Sequence, residues 1–143
     1  MSSPLEKAVA AYSYVANSLR YGRPPDETPT RNSRSAELMI QDLRGDCKDK
    51  SALLVQLLRS MNFEASVAAV LTSDAGRTPF LPSARFNHAL VRVEVDGRTY
   101  WLDAASGLFA FGDLPAQDLA VRALVLGRKG FHFEVIPLED GAT

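Results

Sequence analysis

The stretch Gly45-Asp46-Cys47-Lys48-Asp49-Lys50 leads directly into Ser51-Ala52-Leu53-Leu54-Val55-Gln56-Leu57-Leu58-Arg59. The second part is apolar nearly all round, which predicts a helix buried at the centre of the domain. Cys47 then lies in or just before the first turn of that helix, where unpaired backbone N–H groups lower the pKa of a thiol. Gly45 suits a sharp turn that projects the cysteine side chain. Cys47 is the only cysteine, which excludes an intramolecular disulfide and a multi-cysteine zinc site.

Two further helices are expected before this stretch. Apolar residues at helical spacing predict an amphipathic helix that begins near Leu5 and ends near Gly22. Residues 23–32 contain three prolines, which remove backbone donors and fix the chain, and they are therefore expected to form a loop. Ser33 or Ser35 can cap a short helix that ends just before the buried one.

The second half of the chain has the pattern of an antiparallel sheet. Short apolar or alternating segments predict strands, and Asp96-Gly97 is a strong two-residue hairpin turn between two of them. The predicted strands cover residues 63–71, 86–95, 98–103, 122–126 and 131–136. Helices first and antiparallel strands afterwards predict one α+β domain over residues 1–143.

Composition narrows the classes of protein to which the chain can belong. With 143 residues, 46% hydrophobic and 23% charged, it is expected to form one ordinary globular domain. A formal net charge of −1 provides no general attraction for nucleic acid or for an acidic membrane surface. Apolar runs are too short to span a bilayer, and the first residues lack the layout of a signal peptide. We therefore expect no nucleic-acid partner and no membrane contact by this domain itself.

A histidine close to Cys47 would favour the thiolate, which is the nucleophilic form. Of the two histidines in the chain, His88 lies near the start of the second predicted strand. The hairpin turn pairs Val95 with Arg98, which sets Asp103 opposite Leu90. The diagonal between His88 and Asp103 is within side-chain reach. Asp103 is therefore the candidate carboxylate to orient the His88 ring.

Three blocks of sequence, in this order, resemble the bacterial transglutaminase-like superfamily. They are Gly45-Asp46-Cys47-Lys48-Asp49-Lys50 with its Leu-rich helix, Phe86-Asn87-His88, and Tyr100-Trp101-Leu102-Asp103. The likeness includes the upstream helix at residues 14–21 and so covers most of the chain. It implies a papain-like fold, in which N-terminal helices and the cysteine-bearing helix pack on an antiparallel sheet that carries the histidine and aspartate.

The resemblance also implies the chemistry. Cys47 matches the family nucleophile, His88 the general base and acid, and Asp103 the triad carboxylate. Eukaryotic relatives need calcium, but no calcium-loop spacing is present here, so no calcium dependence is carried over and no cofactor is expected. Because the two histidines and the cysteine are far apart in sequence, a metal site is not expected either.

Other residues near these blocks have two readings. The backbone N–H of Cys47 can hold an oxyanion; Gln41 is a conceivable side-chain donor, although it is predicted to lie on the preceding helix. Trp101 is expected in the core, with a place in a substrate groove as the alternative. Asn87 is expected to be structural, with substrate binding as the alternative. His132 is expected to be an ordinary strand histidine.

The charged residues beside Cys47 are expected to be solvated or to cap the helix rather than to take part in catalysis. They are Asp46, Lys48, Asp49 and Lys50. Asp103 can also cap the turn at residues 104–107, which does not exclude a role beside His88.

The expected function is acyl transfer from a peptide or carboxamide bond through a Cys47 thioester. Release by water would make the protein a cysteine protease or amidase, and release by an amine would make it a transglutaminase. The rival is a catalytically silent module that retains the fold and binds a peptide. In either case the partner is a protein or peptide. The resemblance also implies further domains in a parent chain and an extracytoplasmic or periplasmic location.

Overall fold

A computed structural model describes residues 3–22, 34–70, 88–105 and 107–138. The described helices are α1 (Pro4–Ser18), α2 (Ala36–Asp42) and α3 (Cys47–Ser60), with a short 3-10 helix at Ala116–Asp118. The strands are β1 (Arg20–Tyr21), β2 (Arg44–Gly45), β3 (Glu64–Val70), β4 (His88–Val95), β5 (Arg98–Leu102), β6 (Arg122–Leu126) and β7 (Phe131–Val135). Strands β3 to β7 form one antiparallel sheet in the order β5-β4-β3-β6-β7. The α+β class predicted from the sequence is confirmed.

Side-chain caps set the starts of the helices. Ser3 and Glu6 form a reciprocal capping box at the start of α1, and Ser35 accepts a hydrogen bond from the backbone of Leu38 at the start of α2. Of the two predicted caps for α2, Ser35 is therefore the one that acts; Ser33 lies outside the described residues, as does the predicted loop at residues 23–32. None of the described helices is long and apolar enough to cross a membrane.

Helix α1 ends earlier than expected. The prediction that it continues to near Gly22 is wrong, because the helix stops at Ser18. Strand β1 then pairs in parallel with β2, the strand that immediately precedes α3 in the sequence. The backbone N–H of Arg20 donates to Leu43 at 2.7 Å, and that of Gly22 donates to Gly45 at 2.9 Å. A long-range backbone pairing thus replaces the last turn of the predicted helix.

The β4–β5 hairpin has the predicted register. Val95 pairs with Arg98 and Val91 with Leu102. Asp96 and Gly97 have φ angles of 51° and 80°, the left-handed conformations that a two-residue hairpin turn requires. The register places the end of β5 beside the start of β4, as the sequence predicts.

The sheet buries apolar side chains on both faces. On one face, the helices pack over β3, β4 and β5 in the larger core, which contains Val15, Met39, Leu54, Leu58, Ala65, Val91, Val93 and Leu102. The other face forms a smaller core of Ala68, Val70, Leu90, Trp101, Ala123, Val125 and Ile136. Strand β4 contributes Val91, Val93 and Val95 to the larger core and Leu90 to the smaller one. Because both faces of β4 are covered, the inner and outer faces could not be assigned from its sequence.

A buried charge ties these layers together. The side chain of Lys50, on α3, is only 1% exposed, so the prediction that it is a solvated or capping charge is wrong. Its Nζ donates to the carbonyl oxygens of Ala16 at 3.4 Å, Leu19 at 3.1 Å and Ala105 at 3.3 Å. Burial lowers the pKa of Lys50 to about 8, against the opposing charge of Asp103. The ammonium form therefore prevails at neutral pH and satisfies three carbonyl groups.

Replacement of Lys50 by methionine is expected to lower the free energy of unfolding by about 2–4 kcal/mol, because the carbonyl oxygens would stay buried without their donor. Urea denaturation followed by circular dichroism measures this loss. The matched control is Lys48→Met: Lys48 is a partly exposed neighbour whose ion pair with Asp46 is worth less than about 1 kcal/mol. Equal stability of the two variants would contradict the role assigned to Lys50.

Candidate active site

Cys47 is the first residue of α3, at the helix end that presents backbone N–H groups. Asp46 caps this end: its Oδ1 accepts from the backbone of Asp49 at 3.0 Å, while Oδ2 of Asp49 accepts from the backbone of Asp46 at 2.9 Å. Oδ1 of Asp49 also accepts from the backbone of Arg34 at 2.7 Å. The capping roles predicted for Asp46 and Asp49 are confirmed. They fix the half-buried thiol at the start of the helix.

A glycine is required at position 45 because a side chain would not fit there, and not because the chain turns sharply. A Cβ at this position would lie 2.9 Å from Cβ of Asp49 and 3.2 Å from Sδ of Met39. The residue belongs to β2 and has no positive φ angle. The prediction of a sharp turn is therefore wrong. The absence of a side chain lets β2 approach α3 closely.

His88 and Asp103 lie together at the end of the hairpin. Nε2 of His88 and Oδ2 of Asp103 are 2.7 Å apart. Oδ1 of Asp103 accepts from the backbone of Ala105 at 3.0 Å. One carboxylate therefore both caps the following turn and orients the His88 ring. The side chains of His88 and Asp103 are 14% and 5% exposed. Because Nε2 is engaged by Asp103, Nδ1 is the ring nitrogen left for the thiol.

The thiol and the imidazole change each other's protonation. Burial raises the pKa of Cys47, but a hydrogen bond with His88, the charge of its ring and the N–H of Ala89 together bring that pKa below its usual value. Burial lowers the pKa of His88, but hydrogen bonds with Asp103 and Cys47 outweigh it and raise the pKa to about 10. This balance favours a thiolate–imidazolium pair at neutral pH.

Asp103 is the negative partner of that pair. Burial raises the pKa of its carboxyl group, but interactions that include the hydrogen bond from His88, the charge of His88 and the N–H of Ala105 outweigh burial, so the pKa lies below its usual value. Asp103 is therefore ionised when His88 is protonated. Nε2 of His88 donates the hydrogen bond. Asp103 is then negatively charged, His88 positively charged and Cys47 negatively charged.

Tyr21 is a site residue that the sequence analysis missed. It lines the same cavity as Cys47, and its interaction with the thiol lowers the pKa of the thiol. Burial, followed by the charge of Cys47, raises the pKa of Tyr21 to about 12, so the hydroxyl remains a donor at neutral pH. Tyr21 reaches Cys47 because β1 pairs with β2 directly before α3. That pairing left no signal in the local sequence pattern.

Two small cavities meet at His88. One, of about 350 Å³, is lined by Tyr21, Asp46, Cys47, Lys48, Ala69, His88 and Ala89. The other, of about 270 Å³, is lined by His88, Asp103, Ala105, Phe109, Pro115 and Gln117. Only the first contains the thiol. It is the space in which an acyl group could reach Cys47.

The remaining candidates do not join this group among the described residues. Trp101 is 7% exposed and belongs to the smaller core, which agrees with the core reading. Gln41 is exposed on α2 and does not line the cavity of Cys47. Asn87 lies outside the described residues. His132 is an exposed residue of β7, as expected for an ordinary strand histidine.

His88, Asp103 and Asp118 are the described residues that come closest to a metal-ligand set. One ligand-type atom from each lies within 4.8 Å of those of the other two. The 2.7 Å between His88 and Asp103 is short for two ligands of one zinc ion, which are about 3.3 Å apart when each metal–ligand distance is about 2.0 Å. The spacing fits a proton between these two atoms better than a metal ion.

Comparisons with known proteins agree with this fold. The model of the transglutaminase-like superfamily matches residues 1–104, whereas no curated protein sequence matches the chain. An inferred protease from Parabacteroides distasonis superposes with a TM-score of 0.67 and 18% identity, over 97% of this chain and 25% of its own. An inferred cysteine protease from Cytophaga hutchinsonii gives a TM-score of 0.52 and 21% identity, over 95% of this chain and 46% of its own. This chain thus spans less than half of either protein, and at these identities the likeness concerns the fold.

Replacement of His88 by alanine is expected to raise the pKa of Cys47, because burial of the thiol remains while the imidazolium and its hydrogen bond are lost. The wild-type thiolate persists until the pH falls through the lowered pKa; in the variant the midpoint moves to higher pH. Alkylation by iodoacetamide at pH 7 should slow about tenfold for each unit by which the pKa of the variant exceeds 7. His132→Ala is the control and should label as the wild type does. Equal rates for the two variants would contradict the ion pair.

Replacement of Tyr21 by phenylalanine is expected to have a smaller effect in the same direction. It removes one hydroxyl donor to the thiolate and retains the aromatic ring, so labelling at pH 7 should slow about three- to tenfold. Tyr14→Phe, at another exposed position, on α1, is the matched control. An unchanged pH midpoint in Tyr21→Phe would show that the hydroxyl does not act on Cys47.

Proposed function

Because the chain belongs to the transglutaminase-like superfamily, we propose that it is an enzyme that transfers acyl groups from peptide or carboxamide bonds through a thioester on Cys47. The observation that carries this proposal is the 2.7 Å hydrogen bond between His88 and Asp103. The same imidazole ring also interacts with Cys47. In this proposal Cys47 is the nucleophile, His88 the general acid and base, and Asp103 the orienting carboxylate. The family match includes all three positions.

The first step is acylation of the thiol. The Sγ thiolate of Cys47 attacks the carbonyl carbon of the substrate, and the carbonyl electrons move to its oxygen. The His88 imidazolium then gives its Nδ1 proton to the departing nitrogen as the C–N bond breaks. An amine or ammonia leaves, and the acyl group stays on Sγ as a thioester. Asp103 retains its charge and holds the ring in place through Nε2.

In this proposal two groups stabilise the oxyanion formed in this step. The backbone N–H of Cys47 lies in the first turn of α3, where N–H groups have no partner within the helix. The second donor in the proposal is the hydroxyl of Tyr21, a residue of the same cavity wall. Tyr21 replaces Gln41 as the side-chain oxyanion donor in this proposal, because the Gln41 side chain is exposed on α2.

The second step releases the acyl group. The neutral His88 removes a proton from the incoming nucleophile, which attacks the thioester carbon, and the thiolate leaves as the imidazolium re-forms. Water yields a carboxylate, as in a protease or amidase, and a primary amine yields a new amide, as in a transglutaminase. The proposal includes both acceptors. The small side chains of Ala69 and Ala89 in the cavity wall leave space beside the sulfur for either one.

The test combines a protein substrate with a fluorescent primary amine. Casein incubated with the protein should release new peptides or ammonia with either acceptor, because the leaving group departs in the first step. New carboxyl groups should appear if water is the acceptor, and fluorescence should be attached to casein or its fragments if the amine is. Both products should disappear in Cys47→Ala, while His132→Ala should retain them. An activated ester should also add one acyl group to Cys47, seen by intact-mass spectrometry, and this adduct should decay faster in the wild type than in His88→Ala.

The rival reading, a silent peptide-binding module, gives a different set of results. Cys47 would react with iodoacetamide at the rate of a model thiol, and no acyl adduct would turn over. Casein peptides would bind equally well to the wild type and to Cys47→Ala. That combination would overturn the catalytic proposal.

A further inference from the structure

Strand β7, at one end of the five-stranded sheet, has an exposed apolar side. It stands last in the order β5-β4-β3-β6-β7, and among the described residues no strand pairs with its outer edge. Phe131, Phe133 and Val135 occupy alternate positions and are 71%, 54% and 64% exposed. They lie on the helix-covered face of the sheet, because Val67, which packs against the larger core, is opposite Leu126, which is opposite Phe131. That core contains no described residue of β6 or β7, so the helices leave this part of the face uncovered.

The backbone groups of the same three residues point away from β6. The N–H of Ile136 donates to the carbonyl of Val121 at 2.8 Å, and the bond that closes the turn between β6 and β7 has the same phase. Hydrogen-bonded and non-hydrogen-bonded pairs alternate along an antiparallel ladder. In β7, His132 and Glu134 therefore bond to β6. The N–H and C=O groups of the three exposed apolar residues are directed to the outer edge.

Strand β7 lacks the features that usually protect an edge strand from pairing with another chain. Such features are prolines, lysines, bulges and charges directed toward the edge. The five residues of β7 include no proline or lysine, and their register with β6 is continuous. The acidic residue Glu134 is held by Arg92, whose Nε lies 2.6 Å from Oε2. The edge is therefore open to a further strand.

We propose that this further strand is the β7 of a second copy of the chain, so that two molecules form a dimer through one continuous antiparallel sheet. The two-fold axis passes through Phe133. Phe133 is then opposite Phe133 of the second copy, and Phe131 is opposite its Val135. On the other face of the sheet, His132 is opposite Glu134 of the second copy.

The sequence of β7 is complementary to itself in this register. An aromatic pair lies between two pairs of phenylalanine with valine, and such cross-strand pairs stabilise a sheet. The three outward residues of each copy all find partners, which gives six backbone hydrogen bonds. An axis moved by one residue, to His132 or to Glu134, sets two like side chains opposite each other and leaves an outward residue unpaired. Two glutamates in direct opposition would also repel. The axis at Phe133 is therefore the favoured one.

The length of the edge sets the strength of the dimer. A five-residue strand is small compared with the roughly 1,200–2,000 Å² that a stable interface buries. We therefore expect reversible association, with a dissociation constant on the order of 10–100 µM.

Sedimentation equilibrium over about a hundredfold range of concentration around that value tests the dimer. The wild type should change from monomer to dimer across the range. Phe133→Lys sets two lysines opposite each other at the axis, so its dissociation constant should rise at least about tenfold. Leu38→Lys, which adds the same charge at an exposed position on α2, should dimerise as the wild type does. Phe133 does not line the cavity of Cys47, so iodoacetamide should label Phe133→Lys at the wild-type rate if the variant is folded.

Single cysteines test the register, in a Cys47→Ala background that has no other thiol. Phe133→Cys should form a disulfide-linked dimer under mild oxidation, because Cα atoms of a hydrogen-bonded pair are about 5.5 Å apart, within the span of a disulfide. Phe131→Cys and Val135→Cys should each stay unlinked alone, since four residues separate each from its own copy, more than about 13 Å. A mixture of these two variants should cross-link.

The contrary outcomes are distinct. A wild type that stays monomeric over the whole range would overturn the proposal, as would Phe133→Lys dimers as stable as those of the wild type. Equal cross-linking of the three single-cysteine variants would show collision without a register and would also overturn it. A monomer that binds an extended apolar peptide, with binding lost in Phe133→Lys, would assign the edge to another protein instead. None of these results depends on acyl transfer, since the cross-linking variants lack Cys47.

Discussion

The bonds of the Lys50 ammonium to three carbonyl oxygens hold the domain in the form that the site needs. Two of these carbonyls, of Ala16 and Leu19, come from the end of α1, and the third belongs to Ala105, two residues after Asp103. Lys50 is itself one turn along α3 from Cys47. The helix that carries the thiol therefore also anchors the segment that carries the carboxylate. A buried charge is tolerated here because each donor has a partner and the carbonyl dipoles replace water.

The site forms where two independent constraints meet. The β4–β5 hairpin fixes His88 against Asp103 through its register, whatever the helices do. The capping box of Asp46 and Asp49 fixes Cys47 at the start of α3, whatever the sheet does. Contact between the two halves is direct, because the hydroxyl of Ser51 donates to the carbonyl of Ala89 at 3.1 Å. One bond near the start of the helix thus sets the helix end against the strand that carries the imidazole.

The contrast between what sequence could and could not reveal follows from the range of each interaction. The hairpin register follows from Asp96-Gly97 alone, so the pairing of His88 with Asp103 was predictable from nearby residues. Tyr21 reaches Cys47 only through a two-residue parallel pairing with β2, which has no periodicity of its own. Lys50 sits in a polar hexamer that looks solvated, and its partners are backbone carbonyls that any residue could supply. Asp118 lies in a 3-10 turn whose burial depends on the whole domain.

The protonation state of each site residue depends on the other residues of the site. Burial by itself raises the pKa of Cys47 and lowers that of His88, so each side chain alone would be neutral and the thiol unreactive. Together they reverse both shifts, because a charge on one stabilises a charge on the other and the low local dielectric strengthens that attraction. Asp103 biases the balance further by raising the pKa of the imidazole. The pair is therefore favoured at neutral pH because the interactions among its members outweigh the burial that opposes each charge.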